Sequence, residues 1–145
     1  MYHSRMLRAA IVGIGTWGQN LVRSVEGSGR IRFVAGSTRS PARAEEFCRR
    51  HGISLFGSYE ELLESDDVEA VVLATPHSRH CEEIVAAAKA GKHVFVEKPL
   101  GLSLKEAARA GRDRASRLLE RQAERLLDED VLAGLCRGYD LLAVA

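Results

Sequence analysis

The chain of 145 residues predicts an α/β fold built on a doubly wound parallel sheet. Three observations carry this expectation. Short apolar runs alternate with helical patterns through the first hundred residues, and the runs at 70–74 and 93–96 are apolar without polar alternation, as in strands covered by helices on both faces. Each of three such runs ends in a loop marked by glycine or proline: Gly13-Ile14-Gly15-Thr16-Trp17-Gly18, Thr75-Pro76 and Glu97-Lys98-Pro99. Strands alternating with helices connect by right-handed crossovers, and ligands of such sheets lie beyond the carboxyl ends of the strands.

Taken in order, residues 7–12 form the first strand, and Asn20, Leu21, Val22 and Val25 continue as a helix that stops near Gly27-Ser28-Gly29. Residues 31–35 read as the next strand. Ser40-Pro41 supplies a cap with proline at the first helical position, opening a helix that ends near His51-Gly52. Ser58-Tyr59-Glu60-Glu61 has capping-box spacing and predicts a short helix to about Glu64, followed by a turn at Asp66-Asp67. The strand at 70–74 leads to a helix over 79–90 closed by Gly91, and then to the strand at 93–96. Ser103-Leu104-Lys105-Glu106 caps a further helix, and the spacing of Leu104, Ala108, Ala115, Leu118, Leu119, Ala123, Leu126 and Leu127 predicts one long amphipathic helix there.

Size and composition bound the reading without directing it. At this length one domain buries roughly 68–70% of its unfolded surface, which makes a core but leaves little room for a second domain. Hydrophobic content of 46%, charged content of 28% and a net charge of +1 are ordinary for a globular protein and give no electrostatic case for nucleic acid. Cys48, Cys81 and Cys136 are scattered and odd in number, which suggests reduced thiols in a cytoplasmic protein. The stretch Met1 to Arg8 carries basic residues, but glycines interrupt the apolar run behind them, so neither a signal peptide nor a membrane span is expected.

The first loop has the chemistry of a dinucleotide site. Gly13 permits the tight turn, Gly15 lets the backbone approach a pyrophosphate, and Gly18 allows close packing of helix on strand, with Thr16 and Trp17 between them at the helix N-terminus. The plainer alternative is a glycine turn without a ligand, with Trp17 a packing residue. At the end of the second strand a carboxylate would bind a ribose 2′-hydroxyl and repel a 2′-phosphate. Here the sequence is Gly36-Ser37-Thr38-Arg39, where Arg39 offers a planar fork of donors and Ser37 or Thr38 a hydroxyl. NADP is therefore favoured over NAD, with use of both left open, against the alternative of a solvated arginine before a helix. His77, His80 and Cys81 lack a pattern that would close a metal site.

The glycine motif, the run Ala74-Thr75-Pro76-His77-Ser78-Arg79-His80 and the run Gly91-Lys92-His93-Val94-Phe95-Val96-Glu97-Lys98-Pro99, in this order, resemble the N-terminal Rossmann domain of the glucose-fructose oxidoreductase/inositol dehydrogenase/rhizopine catabolism family. The resemblance runs from Leu7 to Ala108. It implies hydride transfer between NAD or NADP and a sugar- or polyol-like hydroxyl or carbonyl. It also implies that Thr75, Pro76 and His80 lie at the cofactor and that Trp17 is an aromatic near it. Lys98 beside the nicotinamide would then bind or polarise the substrate hydroxyl as the catalytic residue, with Glu97 orienting it or bonding to a neighbouring loop. An ammonium group suits stabilisation of a forming alkoxide.

After residue 110 the chain departs from the family pattern, which turns into a sixth strand and a large second α/β domain. The expected division is a dinucleotide-binding domain over 1–110 and an atypical helical tail over 111–145. Three explanations of that tail stay open: a genuine variant ending, a truncated gene read in a shifted frame, or a domain completed by a partner chain or a homo-oligomer. A nucleotide-binding sensor or partner subunit without catalysis is the rival functional reading.

Overall fold

A computed structural model of the chain describes residues 5–97, 101–112 and 141–144, the last as backbone together with 111 and 112. The elements run β1 (Leu7–Val12), α1 (Thr16–Ser24), β2 (Ile31–Ser37), α2 (Pro41–His51), β3 (Ser54–Leu55), α3 (Tyr59–Glu64), β4 (Ala70–Leu73), α4 (His77–Lys89), β5 (His93–Glu97), α5 (Leu104–Arg112) and β6 (Leu141–Val144). They form one sheet of order β3-β2-β1-β4-β5-β6, in which the first five strands pair in parallel and β6 runs antiparallel to β5. This is the doubly wound order, with its switch point between β1 and β4.

Alternation along the strands divides the core. Leu7, Ala9 and Ile11 of β1 face α1 and α2 together with Phe33, Val72 and Phe95. Ala10 and Val12 face α3, α4 and α5 together with Val71, Leu73, Val94 and Val96. The absence of a polar face on β1, β4 and β5 follows from helices covering both sides. Between β1 and β2 the register shifts: Ala9 lies opposite Phe33 but Ala10 opposite Ala35, so Val34 is an extra residue in β2.

The helix boundaries follow their local chemistry. At α3 the Ser58 hydroxyl accepts from the Glu61 amide at 3.1 Å, the capping-box bond that the spacing predicts. At α5 the Ser103 hydroxyl accepts from the Glu106 amide at 3.2 Å, while the Glu106 carboxylate reaches back to the Leu102 amide at 2.7 Å. Ser40 stands before Pro41 as expected, but its hydroxyl makes no capping bond. The turn leading to β4 is fastened by Lys92, whose ammonium donates to the carbonyls of Ser65 and Val68 at 2.7 and 2.8 Å.

Two elements differ from the sequence reading. The two-residue β3 is too short to carry a pattern. The expectation of a helical tail is corrected at its end, where Leu141–Val144 is a strand beside β5; an antiparallel edge on a parallel sheet is common, because it covers open ladder groups. The rest of the long helix expected beyond α5 lies outside the described residues. No helix among the described residues is long and apolar enough to cross a membrane.

Candidate functional site

A cleft of about 500 Å³ opens above the carboxyl ends of β1, β2 and β4, beside the switch point. The β1–α1 loop forms its floor. Gly13 has φ of 89° and sits so close to β4 that a Cβ would lie 2.7 Å from the Ala74 carbonyl oxygen. A Cβ at Gly18 would lie 2.0 Å from the Gly13 carbonyl oxygen, so the first turn of α1 can pack onto the loop only without a side chain. A Cβ at Gly15 meets nothing within 4 Å. Packing therefore explains Gly13 and Gly18, while Gly15 faces open space at the cleft floor.

Gly15 is also the N-cap of α1, without a side-chain cap, and its carbonyl accepts from the Gln19 amide at 3.0 Å. The amides of Thr16, Trp17 and Gly18 precede it at the positive end of the helix, a setting suited to an anion. Trp17 is partly buried against the α1–α2 side of the core, which supports its packing role. Thr16 is exposed at the start of the helix.

One wall of the cleft runs from the end of β2 into the first turn of α2, contributing Ser37, Thr38, Arg39, Ser40 and Arg43. Ser37 is buried, Arg39 exposed. The other wall combines the turn at 57–60 with Thr75, Pro76, Arg79 and Glu83. Glu83 is 3% exposed. Its Oε2 accepts from the Thr75 hydroxyl, its Oε1 lies 2.9 Å from Nε of Arg79, and its backbone carbonyl accepts from the Tyr59 hydroxyl at 2.8 Å. The Arg79 contact is an ion pair whose geometry falls short of an aligned hydrogen bond, since Oε1 lacks a hydrogen-bond partner. Burial pushes the Glu83 carboxyl above its ordinary range, against the opposing pull of the Thr75 hydroxyl, Arg79 and His80. Burial also raises the Tyr59 phenol, with Glu83 and Glu60 acting in the same direction.

His80 is 1% exposed and does not line the cleft; its Nε2 donates to the Thr75 carbonyl at 2.9 Å, which holds the turn after β4 in shape. Glu97 ends β5, half-buried and outside the cleft lining. Lys98 lies outside the described residues. The structure thus gathers Gly13, Gly15, Ser37, Thr38, Arg39, Thr75 and Pro76 around one cleft, with Gly18 and His80 as supports behind it. Sequence reasoning missed Arg43, Arg79 and Glu83. The signal for Glu83 is its place on the α4 face shared with His80 and Ala87, where an acid is out of character.

Comparison with known proteins agrees with this geometry. The profile of the oxidoreductase family with an NAD-binding Rossmann fold matches residues 7–119. The scyllo-inositol 2-dehydrogenase (NAD(+)) of Bacillus subtilis is 39% identical over 109 residues, covering 72% of this chain and 31% of that protein. The trans-1,2-dihydrobenzene-1,2-diol dehydrogenase of Oryctolagus cuniculus is 45% identical over 76 residues, 52% of this chain and 23% of its own. Among solved structures, a 3-ketoreductase from Actinomadura kijaniata in complex with NADP and TDP-benzene superposes with a TM-score of 0.71 at 29% identity, covering 88% of this chain and 43% of that one. The chain spans less than a third of the length of these two curated relatives.

Proposed function

The chain belongs to the oxidoreductase family with an NAD-binding Rossmann fold, and from this premise we propose that it binds NADP in preference to NAD and serves hydride transfer on a sugar- or polyol-like hydroxyl or carbonyl. The observation that carries the cofactor preference is the composition of the cleft wall beyond β2: two arginines and three hydroxyl residues, Ser37, Thr38 and Ser40, with no acid between Gly36 and Arg43. Glu60 and Glu83, the carboxylates that line the cleft, stand on α3 and α4, and Glu83 is paired with Arg79. The substrate class follows from the relatives, which include an inositol dehydrogenase and a diol dehydrogenase.

In this reading the amides at the start of α1 and the open face of Gly15 hold the pyrophosphate. Arg39 forks onto the 2′-phosphate, with Ser37 or Thr38 adding a hydroxyl. His80 keeps the Thr75-Pro76 turn in place through the Thr75 carbonyl. Bound nicotinamide supplies the hydride chemistry. Lys98, next in sequence after Glu97, holds the substrate oxygen and stabilises negative charge on it.

Calorimetric titration of NADPH and NADH tests this. Arg39→Ala should weaken NADPH by roughly 1.5–3 kcal/mol, as expected for a charge-assisted bond, and leave NADH nearly unchanged. Equal losses for both cofactors would remove Arg39 from the role. Gly15→Val should keep the fold, since its Cβ meets nothing within 4 Å, yet abolish the thermal shift from either nucleotide. A shift that survives would move the pyrophosphate away from this loop.

A further inference from the structure

We propose that Arg79, held in place by the buried carboxylate of Glu83, forms the wall against which the adenine of the cofactor stacks; this rests on reading the cleft as a nicotinamide dinucleotide site. The starting point is the cost of Glu83. A carboxylate in the interior is unfavourable unless paired, and an apolar side chain of similar size would serve the packing of α4 at least as well. Glu83 sits beside Ile84 on a helix whose buried face, His80 apart, joins the apolar core. What the acid supplies is a fixed anchor. Thr75 occupies one of its oxygens, and the Nε edge of Arg79 lies 2.9 Å from the other.

Arg79 itself is not buried. Its side chain is 45% exposed and lines the cleft, whereas that of Glu83 is only 4% exposed. With the Nε edge committed to Glu83, a long side chain that would otherwise sample many rotamers is restrained at the ligand-facing surface. The bond from the Tyr59 hydroxyl to the Glu83 carbonyl ties the start of α3 to α4, so Arg79 shares a wall with the turn at 57–60. Arg39, on the β2–α2 connection, and Arg43, in the first turn of α2, line the same cleft from the β2 side.

The parts of a dinucleotide divide over these surfaces. Its pyrophosphate goes to Gly15 and the start of α1, and its ribose end to Arg39. The adenine remains, and a purine seeks a flat partner. Among the described residues no phenylalanine or tryptophan lines the cleft, and Tyr59, which does, is only 7% exposed. A guanidinium plane fills that need, because it stacks on aromatic faces as an ammonium group cannot. Glu83 acts through Arg79 and is a positioning residue.

The test is titration of the full chain with NADPH and with NADH, comparing wild type, Arg79→Met, Arg79→Lys, Glu83→Gln and the double variant Arg79→Met/Glu83→Gln. Arg79→Met should weaken both cofactors equally, by roughly five- to tenfold, and Arg79→Lys should not restore binding. Glu83→Gln should weaken binding in the wild-type background and add nothing to Arg79→Met. A loss confined to NADPH would place Arg79 at the 2′-phosphate and overturn the proposal, as would full rescue by lysine. Equal losses from Glu83→Gln in both backgrounds would reduce Glu83 to a structural role. Because Arg79 is half-exposed, its two variants decide the base contact even where Glu83→Gln lowers the melting temperature. Failure of the wild type to bind either cofactor would instead overturn the reading of the cleft.

Discussion

The two faces of the sheet are built from the same strands yet differ in kind. Against α1 and α2 the sheet presents Ile11, Phe33, Val72 and Phe95 to Leu21, Val22, Phe47 and Cys48, a layer of hydrocarbon and sulfur. Against α3, α4 and α5 it packs Val12, Val71 and Leu73 on Leu62, Cys81 and Ile84, but this layer also holds the Tyr59 phenol and adjoins His80 and Glu83. Those polar groups collect where α3 and α4 begin, at the rim of the cleft. The first face holds the domain together; the second gives up part of its apolar character to shape a site. Removing hydrocarbon from the first should therefore cost stability and little binding, and altering polar groups on the second should do the reverse.

The largest effect belongs to the apolar face. Leu21 is fully buried, and Leu21→Ala should cost about 3 kcal/mol in urea unfolding, with the nucleotide-dependent rise in melting temperature preserved. A cost under about 1 kcal/mol would break the comparison, since deletions in a close-packed layer seldom cost so little. On the polar face, Tyr59→Phe removes the bond to the Glu83 carbonyl and should cost about 1 kcal/mol while weakening nucleotide binding through Arg79. Unchanged binding with lost stability would show that the tie between α3 and α4 matters only to the fold.

The gentlest effect is one of pH. Burial raises the Glu83 carboxyl above its unfolded value near 4.5, so between the unfolded and folded values the native state binds the extra proton. Stability from this group is then complete below the unfolded value and falls as pH rises through the folded one. Urea midpoints from pH 4 to 7 should accordingly show the wild type losing ground to Glu83→Gln as pH increases. Parallel curves would mean that pairing with Arg79 cancels the cost of burial.

Much of the cleft was legible in the sequence where backbone geometry dictates a residue type. Gly13 and Gly18 are glycines because nothing larger fits, and Ser58 caps α3 because its spacing to Glu61 permits little else. Arg39 was visible because the end of the second strand is a fixed address in this fold. Arg79 and Glu83 were not, for a pair at i and i+4 looks like an ordinary solvent-facing ion pair until the packing of α3 on α4 buries its acid. Arg43 was missed because only the fold brings the first turn of α2 to the rim. β6 could not be foreseen from a leucine-rich run whose pairing partner lies more than forty residues away along the chain.

The extra residue in β2 has a consequence for how the gene can change. Ile31 and Phe33 point to the α1–α2 side, and strict alternation would send residue 35 the same way, but the bulge at Val34 turns Ala35 to the opposite side. Ser37, two residues on and opposite Val12, inherits that reversed orientation and so reaches the cleft. Loss of a single codon at Val34 would remove only this extra residue, leaving Phe33 opposite Ala9 and Ala35 opposite Ala10 in a strand that pairs with β1 without a shift. The end of β2 would keep its face, with Ser37 still opposite Val12 at the rim, so the cleft wall tolerates this loss of chain length.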